Sequence, residues 1–269
     1  MASWTIDEPG KLELDQGRVD RVRVRLIEGG MSVVGSDGPP ALEVSQLEGE
    51  PLRVRQEGGT VTVDYERPWR PGLLGWLTSR GQRKAVLSLA VPRDCAVELE
   101  VVSASLMVGG LRAPVQAKTV SGEITLAGLG GTAEAESVSG AVQASAISGD
   151  LSAATVSGDL TVAEGGGSVR AKTVSGTIAM DLGPSADRDI KLSSVSGDLT
   201  VRLPEASDLE VKLRSTSGQV ASAFEQLTLD RAPGRHEARG RIGTGTGRLL
   251  ATSTTGHVAL LRRDPEVSL

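Results

Sequence analysis

Apolar and polar residues alternate along most of the chain with the period of two that is typical of β-strands with one buried face. The alternation is clearest at residues 199–203 and 209–213, where every second residue is aliphatic. In the first 94 residues the same pattern predicts strands at 19–26, 52–55, 61–65 and 86–91. Turn-forming Gly and Pro residues separate these segments. The pattern therefore predicts an all-β protein.

A Ser-Gly pair recurs through the rest of the chain and sets its period. It is found at 121–122, 139–140, 148–149, 157–158, 175–176, 196–197 and 217–218, with Thr-Gly at 255–256 and a degenerate Ser-Ala copy at 103–104. The second residue after each glycine is aliphatic, and the third residue before it is Ser or Thr in every copy except Ala146. Because glycine adopts backbone angles that other residues avoid, we expect each pair to form a corner.

A unit of 18 to 21 residues between corners cannot bury its own apolar face, but a stack of such units can. We therefore expect residues 95–269 to form a single-stranded β-solenoid, or β-helix, of about eight right-handed turns, each stacked on the next. Residues 1–94 are expected to form an irregular β N-terminal cap that protects its open end. The alternative is a β-sandwich with recurrent hairpins, which would not require the same corner residues at the same phase.

The composition restricts the chemistry further. Cys95 is the single cysteine, which excludes an intramolecular disulfide framework and a multi-cysteine metal site. Aromatic residues make up only 2%, so the core must consist of Val, Leu, Ile and Ala. The first residues lack a basic and apolar leader, and no stretch of about 18 apolar residues occurs. These features predict a cytoplasmic protein.

Acidic residues follow several corner glycines and raise the question of a calcium ladder. They are Glu123, Asp150, Asp159 and Asp198. Calcium-binding β-rolls need an Asp and further glycines at fixed places in every copy, whereas half the copies here carry another residue. We expect these carboxylates to be solvated charges and predict no metal site.

Candidate catalytic residues are few. Asp187 and Asp189 form a carboxylate pair in a turn, as a polysaccharide-cleaving β-helix would need, but two acids in an exposed turn are more often solvated. His236 and His257 have no triad context, and the glycine-rich residues 243–247 lack the Gly-Lys-Ser/Thr ending of a phosphate loop. We predict no catalytic residue and no cofactor, and a polysaccharide-active enzyme is a distant alternative.

One segment, residues 67–84, has a composition unlike the rest, and we call it the Trp/Arg loop. Residues 67–93 contain six basic residues, no acidic residue and two of the three tryptophans. Trp, Leu and Arg together are typical of a protein-partner hot spot or an interfacial membrane contact. Alternatively, its apolar side chains cover the end of the solenoid, a role compatible with binding. The candidate contact residues are Arg67, Trp69, Arg70, Leu73, Leu74, Trp76, Arg80, Arg83 and Lys84.

Charge is distributed unevenly along the chain. The formal net charge of −5 gives no reason to expect nucleic acid as a partner. Residues 94–230 carry −9, whereas residues 231–269 carry +4. This asymmetry favours self-association or an acidic partner, and the alternative is a mosaic of solvated charges.

The repeated Thr-Val-Ser-Gly-Asp-Leu-Thr-Val sequence, at 155–162 and again at 195–201 without its first residue, resembles the bacterial "putative adhesin" family of β-strand repeats. The resemblance implies a β-solenoid of unknown function, and the family name implies secretion, whereas the sequence predicts a cytoplasmic location. We expect a non-enzymatic scaffold that binds a protein partner or self-associates. The alternative is a peripheral membrane or envelope-associated protein whose Trp/Arg loop contacts an anionic surface.

Overall fold

The structure is a computed structural model and describes residues 2–14, 18–65, 83–184, 187–232 and 234–263. Every regular element in these residues is a β-strand, and they include no helix of the length and apolar character needed to span a membrane. The chain divides into two compact units, residues 1–131 and 132–269. The predicted boundary between cap and repeats at residue 94 stays a prediction.

In the first unit, the described residues form ten strands with alternating burial. They are β1 (Ala2–Ile6), β2 (Gly10–Glu13), β3 (Arg21–Ser36), β4 (Ala41–Glu48), β5 (Leu52–Glu57), β6 (Thr60–Tyr65), β7 (Lys84–Pro92), β8 (Ala96–Gly109), β9 (Val115–Lys118) and β10 (Ile124–Ala127). In β6, for example, Val61, Val63 and Tyr65 are buried and the residues between them are partly exposed. The period-two pattern of the sequence therefore does mark the core-facing side chains.

Two long parallel strands organise the first unit. Residues 21–34 of β3 pair in register with 96–109 of β8. The other side of β3 pairs in parallel with β6 and β7, and β8 pairs in parallel with β9 and β10. Antiparallel strands follow outside, with β5 on β6, β4 on β7, β1 on β5 and β2 on β4. The region expected to be an irregular cap thus contains regular parallel coils, which the antiparallel strands cover.

In the second unit, the described residues form fourteen strands. They are β11 (Ala133–Glu136), β12 (Val142–Ser145), β13 (Leu151–Ala154), β14 (Leu160–Ala163), β15 (Val169–Lys172), β16 (Ile178–Asp181), β17 (Asp189–Ser194), β18 (Leu199–Pro204), β19 (Leu209–Ser215), β20 (Val220–Ser222), β21 (Leu227–Ala232), β22 (Arg235–Ile242), β23 (Gly247–Ser253) and β24 (Val258–Arg263). Each coil of the chain contributes one strand to each of two parallel ladders. This arrangement, with the family assignment given below, confirms the predicted β-solenoid.

The coils of the second unit do not all stack in chain order. One ladder runs β11, β13, β15, β17, β23, β19 and the other runs β12, β14, β16, β18, β24, β20. The coil formed by β23 and β24 therefore lies between two coils that precede it in the sequence. The hairpin of β21 and β22 separates these coils in the chain, and β22 pairs antiparallel with β19. The expectation that each turn stacks on the next is wrong at this point.

Aliphatic side chains in register across the coils form the core. In the second ladder, Leu160 is opposite Ile178, Ile178 is opposite Leu199, and Leu199 is opposite Val258. All four side chains are essentially inaccessible to solvent. Because each coil buries its inward face only against its neighbours, the stack as a whole supplies the hydrophobic stabilisation.

The Ser-Gly corner has a physical basis different from the one expected. The glycines at 122, 140, 158, 176, 197, 218 and 256 all lie outside the positive-φ region. Instead, a Cβ on Gly176 would lie 1.9 Å from the carbonyl oxygen of Gly158 in the neighbouring coil, and one on Gly197 would lie 1.8 Å from that of Gly176. Glycine is needed because adjacent coils approach too closely at the corner for any side chain.

The hydroxyl residue three positions before each glycine completes the corner. The glycine N–H donates to that hydroxyl, at 3.0 Å for Gly176 to Thr173 and 2.7 Å for Gly197 to Ser194. The hydroxyl residues are buried, so this bond satisfies a backbone donor that has no water partner. The same bond recurs at Thr119, Ser137, Thr155, Ser215 and Ser253.

Each coil has a second corner, and Ser148-Gly149 belongs to it. Ile147, just before this pair, is buried, whereas Val138 and Val156 at the first corner are each 47% exposed. The second corner contains a residue with positive φ, Ala146 at 53° and Glu164 at 56°. The positive-φ backbone that was expected at the first corner therefore occurs at the second corner, half a coil away from the glycines on which the expectation was based.

Candidate functional site

The acids that follow the corner glycines bind backbone groups of the neighbouring coil. Asp159 accepts a hydrogen bond from the Thr177 N–H at 2.8 Å, and Asp198 accepts one from the His257 N–H at 2.7 Å. His257 in turn accepts from the Gln219 N–H at 3.0 Å through Nδ1. These residues are exposed, as expected, but they tie adjacent coils together rather than serving only as solvated charges.

The remaining titratable candidates also have structural environments. His236 bonds through Nδ1 to the carbonyl oxygen of Gly218. Cys95 is fully buried, and burial raises the pKa of its thiol to about 11, so it is protonated at neutral pH. Across the residues that the structure describes, no three His, Cys, Asp or Glu side chains gather in a geometry that could hold a metal ion.

The turn between β16 and β17 buries an arginine. Arg188 is 3% exposed, and its Nη2 donates to the carbonyl oxygen of Gly183 at 2.9 Å. Its Nε and Nη1 have no hydrogen-bond partner within the described part of the chain. Burial lowers the pKa of this guanidinium, while the flanking Asp187 and Asp189 are exposed. The predicted carboxylate pair is therefore solvated and separated by a buried cation.

An Arg188→Met variant is expected to be at least as stable as the wild type. Replacing a buried charge that has no counter-charge by an apolar chain of similar length is neutral or stabilising by about 1 kcal/mol or more. No opposite charge is left behind, and only the half-buried Gly183 carbonyl oxygen loses a hydrogen bond. Chemical denaturation in urea measures the change, with Arg170→Met, an exposed arginine on β15, as the control. A loss of more than about 2 kcal/mol in Arg188→Met alone would contradict this expectation.

Tyr65, two residues before the Trp/Arg loop, and Arg83, near the end of the loop, contact each other in the first unit. β6 ends at Tyr65, and the Tyr65 hydroxyl donates to the carbonyl oxygen of Arg83 at 3.1 Å. The Arg83 guanidinium lies 5.7 Å from the centroid of the Tyr65 ring and donates from Nη2 to Glu50 Oε1 at 2.8 Å. Burial raises the pKa of Tyr65 to about 12, so its hydroxyl stays a donor. We call these three residues the loop clamp.

The structure places only two of the predicted contact residues. Arg83 belongs to the loop clamp, with its side chain 14% exposed, and Lys84 is half-buried at the start of β7 between Glu28 of β3 and Glu48 of β4. The other predicted residues lie outside the described part of the chain: Arg67, Trp69, Arg70, Leu73, Leu74, Trp76 and Arg80. Their role as partner contacts stays a prediction.

A row of cations crosses one face of the second unit. Arg170 on β15 is opposite Lys191 on β17, and Lys212 on β19 is opposite Arg239 on β22, with Leu250 of β23 between the two pairs. All four cations are exposed. We call Arg170, Lys191, Lys212 and Arg239 the basic row. Neighbouring strands are about 4.8 Å apart, so the row extends over about 19 Å.

The basic row ends at a groove of about 700 Å³ over β19, β22 and β21. Lys212, Arg239 and Arg241 line it together with Thr228 and two carboxylates, the exposed one of Glu210 and the buried one of Glu237. The hydrogen bond from Arg235, followed by its charge, lowers the pKa of Glu237 against the opposing effect of burial. This ion pair compensates the negative charge of Glu237, and the groove keeps a surplus of positive charge.

The sequence contained one signal for this row. Arg170, Lys191 and Lys212 are spaced by 21 residues, which is one coil at this part of the chain. Arg239 could not be placed beside them, because it lies on an antiparallel strand after the hairpin. The repeat pattern also did not predict that β23 lies between β17 and β19.

A known protein family matches most of the chain. The family model described as Toastrack DUF4097 matches residues 40–260, which contain every Ser-Gly pair of the repeat. The chain belongs to this family. The predicted resemblance to adhesin-like β-strand repeats of unknown function is thereby confirmed. The Toastrack match begins before residue 94 and so includes part of the predicted cap. No curated protein matches the sequence.

Solved structures similar to this Toastrack chain include the following three. One is a putative lipid binding protein from Parabacteroides distasonis, with 13% identity, a TM-score of 0.48 and coverage of 96% of this chain and 98% of that one. A putative adhesin from Bacteroides fragilis has 11% identity, a TM-score of 0.44 and 97% coverage of both chains. A putative cell adhesion protein from Clostridium sporogenes has 11% identity, a TM-score of 0.29 and coverage of 95% and 100%.

Proposed function

We propose that this Toastrack protein is a non-enzymatic interaction scaffold that binds a protein partner through the Trp/Arg loop. The loop clamp is the observation that carries the proposal. The hydrogen bond from Tyr65 to Arg83 joins the residue two positions before the loop to a residue near its end, so the described residues on both sides of 66–82 are held at one place. Fixing the ends of a loop removes part of the entropy that binding would otherwise have to offset.

The rest of the described chain supports a structural rather than a catalytic role. The corner glycines and hydroxyls, the acids that follow these glycines and both histidines all take part in holding coils together. By contrast, Trp and Arg, which are both present in the loop, are among the residues that dominate binding energy at protein interfaces.

A Trp69→Ala, Trp76→Ala double variant tests the proposal. We expect the wild-type protein to retain a specific partner from an extract of its native cells, and the double variant to lose it, because aromatic anchors each contribute about 2 kcal/mol or more at a hot spot. A Leu229→Ala, Leu261→Ala variant, which truncates exposed leucines elsewhere, is the matched control. Equal recovery of the partner with all three proteins would refute the loop as the binding site.

Two further measurements distinguish the alternatives. Co-sedimentation with phosphatidylcholine vesicles, with and without phosphatidylglycerol, tests a membrane surface as the partner. Binding that requires the anionic lipid and the two tryptophans would replace the protein partner by a lipid surface. Light scattering at low and high salt tests self-association, and a monomer under both conditions removes that version.

A further inference from the structure

We infer that the basic row and its groove bind a linear anionic polysaccharide. This inference goes beyond the proposed function and concerns a surface in the second unit. The row presents four cations in a line, with Arg170 opposite Lys191 and Lys212 opposite Arg239. Like charges directly opposite each other on neighbouring strands destabilise a sheet. Their arrangement is therefore unfavourable in the free protein and becomes favourable when an anion lies across them.

The cations are available for a ligand. Within the residues that the structure describes, the four side chains form no hydrogen bond or salt bridge, and Lys212 and Arg239 interact with Glu237 only through their charge. In the adjacent row on the same face, negative and positive side chains alternate, because Arg248 is opposite both Asp189 and Glu210. The Arg248 guanidinium lies 4.0 Å from the Glu210 carboxylate. The basic row, by contrast, contains no acidic residue.

The geometry of the row favours an extended polymer over a compact ligand. The row is straight because its members occupy one register position on successive strands, and it extends over about 19 Å. The groove at one end has the volume of a small-ligand site, which is between about 300 and 1,000 Å³. A polymer that lies along the row can therefore seat one of its units in the groove.

Hydroxyl and carboxylate groups beside the row favour a polysaccharide over other polyanions. Ser152 continues the row beyond Arg170, and Thr228 continues it beyond Arg239. Both can bond sugar hydroxyls, and the carboxylates of Asp189 and Glu210 accept from such groups. A polyphosphate has no hydroxyl groups to donate to the same two carboxylates, whereas every sugar unit has them. Single-stranded nucleic acid needs aromatic stacking platforms, and the basic row contains no aromatic residue.

A variant with Arg170→Gln, Lys191→Gln, Lys212→Gln and Arg239→Gln tests the inference. The control carries Lys11→Gln, Arg21→Gln, Arg112→Gln and Arg262→Gln, four exposed cations elsewhere, so both variants change net charge equally. The probes are alginate, a carboxylate polysaccharide, and heparin, a sulfated one. We expect calorimetric titration to show a roughly tenfold or greater loss of affinity in the row variant and little loss in the control.

Two double variants, each changing half of the row, show where the polymer binds most strongly. Lys212→Gln with Arg239→Gln is expected to weaken binding more than Arg170→Gln with Lys191→Gln, because only the first pair lines the groove. All the substituted side chains are exposed, so thermal unfolding should show that each variant folds like the wild type. A loss confined to the Arg170 and Lys191 pair would overturn the assignment of the groove.

Other outcomes overturn the inference as a whole. Equal loss of affinity in the row variant and the charge-matched control would mean that only net charge matters. Failure of the wild type to bind either polysaccharide would have the same consequence. Row-dependent binding of long-chain polyphosphate or an oligothymidylate that exceeds binding of both polysaccharides would assign the row to a different ligand. None of these results affects the Trp/Arg loop, which is tested by its own variants.

Discussion

A Gly176→Ala variant is expected to lose about 3 kcal/mol or more of its free energy of unfolding. The added Cβ would lie 1.9 Å from the carbonyl oxygen of Gly158, far inside the contact distance of the two atoms. The obstacle is backbone, so it cannot rotate away as a flexible side chain would. The coils must separate at the corner, which strains the bond from the Ser175 N–H to the Val156 carbonyl oxygen at 3.0 Å.

Thermal unfolding measures this effect, and an alanine at Gly183 is the matched control. No atom lies within 4 Å of a Cβ built on Gly183, and its φ is outside the left-handed region. Gly183→Ala should therefore keep the wild-type stability, whereas Gly176→Ala should melt about 10 °C lower in a chain of this size. If both variants melted together, close approach of the coils would not explain the corner glycine.

A Ser215→Ala variant is expected to lose about 2 kcal/mol, because one buried hydroxyl serves two backbone groups. Ser215 Oγ accepts from the Gly218 N–H at 2.9 Å and donates to the Gly256 carbonyl oxygen at 2.8 Å in the neighbouring coil. The residue is fully buried, so water cannot replace either bond without rearrangement.

Two further substitutions separate the hydrogen bonds from the change in volume. Ser215→Thr keeps the hydroxyl and should retain most of the stability, since threonine occupies the equivalent position at Thr155 and Thr173. Ser152→Ala removes an exposed hydroxyl from β13 and should have little effect. Urea denaturation gives the free energies, and a Ser215→Thr variant as unstable as Ser215→Ala would argue against the hydrogen-bond explanation.

The repeat columns predicted the architecture well because each column corresponds to one physical requirement. The aliphatic column is the core, and the hydroxyl column satisfies a buried backbone donor at the corner. The role of glycine was predicted for the wrong reason, since a sequence shows that glycine recurs but not whether its φ or its missing side chain is needed. Ser148-Gly149 was counted with the other pairs, although it lies at the second corner of its coil, where the preceding Ile147 is buried.

The candidate sites were less accessible to sequence reasoning. The basic row joins residues from four different strands, and its continuity depends on an order of coils that the repeat does not encode. Arg188 was expected in an exposed turn, but the strand alternation that starts at Asp189 extends back to it and directs its side chain inward. The loop clamp depends on contacts between Tyr65 and residues that are distant in the chain, for which no local pattern exists.

The displaced coil of β23 and β24 has a consequence for synthesis on the ribosome. The coils of β17–β18 and β19–β20 emerge first, but their native neighbour is the coil that emerges last. A nascent chain that ended before residue 247 would have two open parallel edges and no native way to join them. The earlier coils can therefore fold while the chain is being synthesised. Folding of the second unit cannot be completed until β24 has been translated.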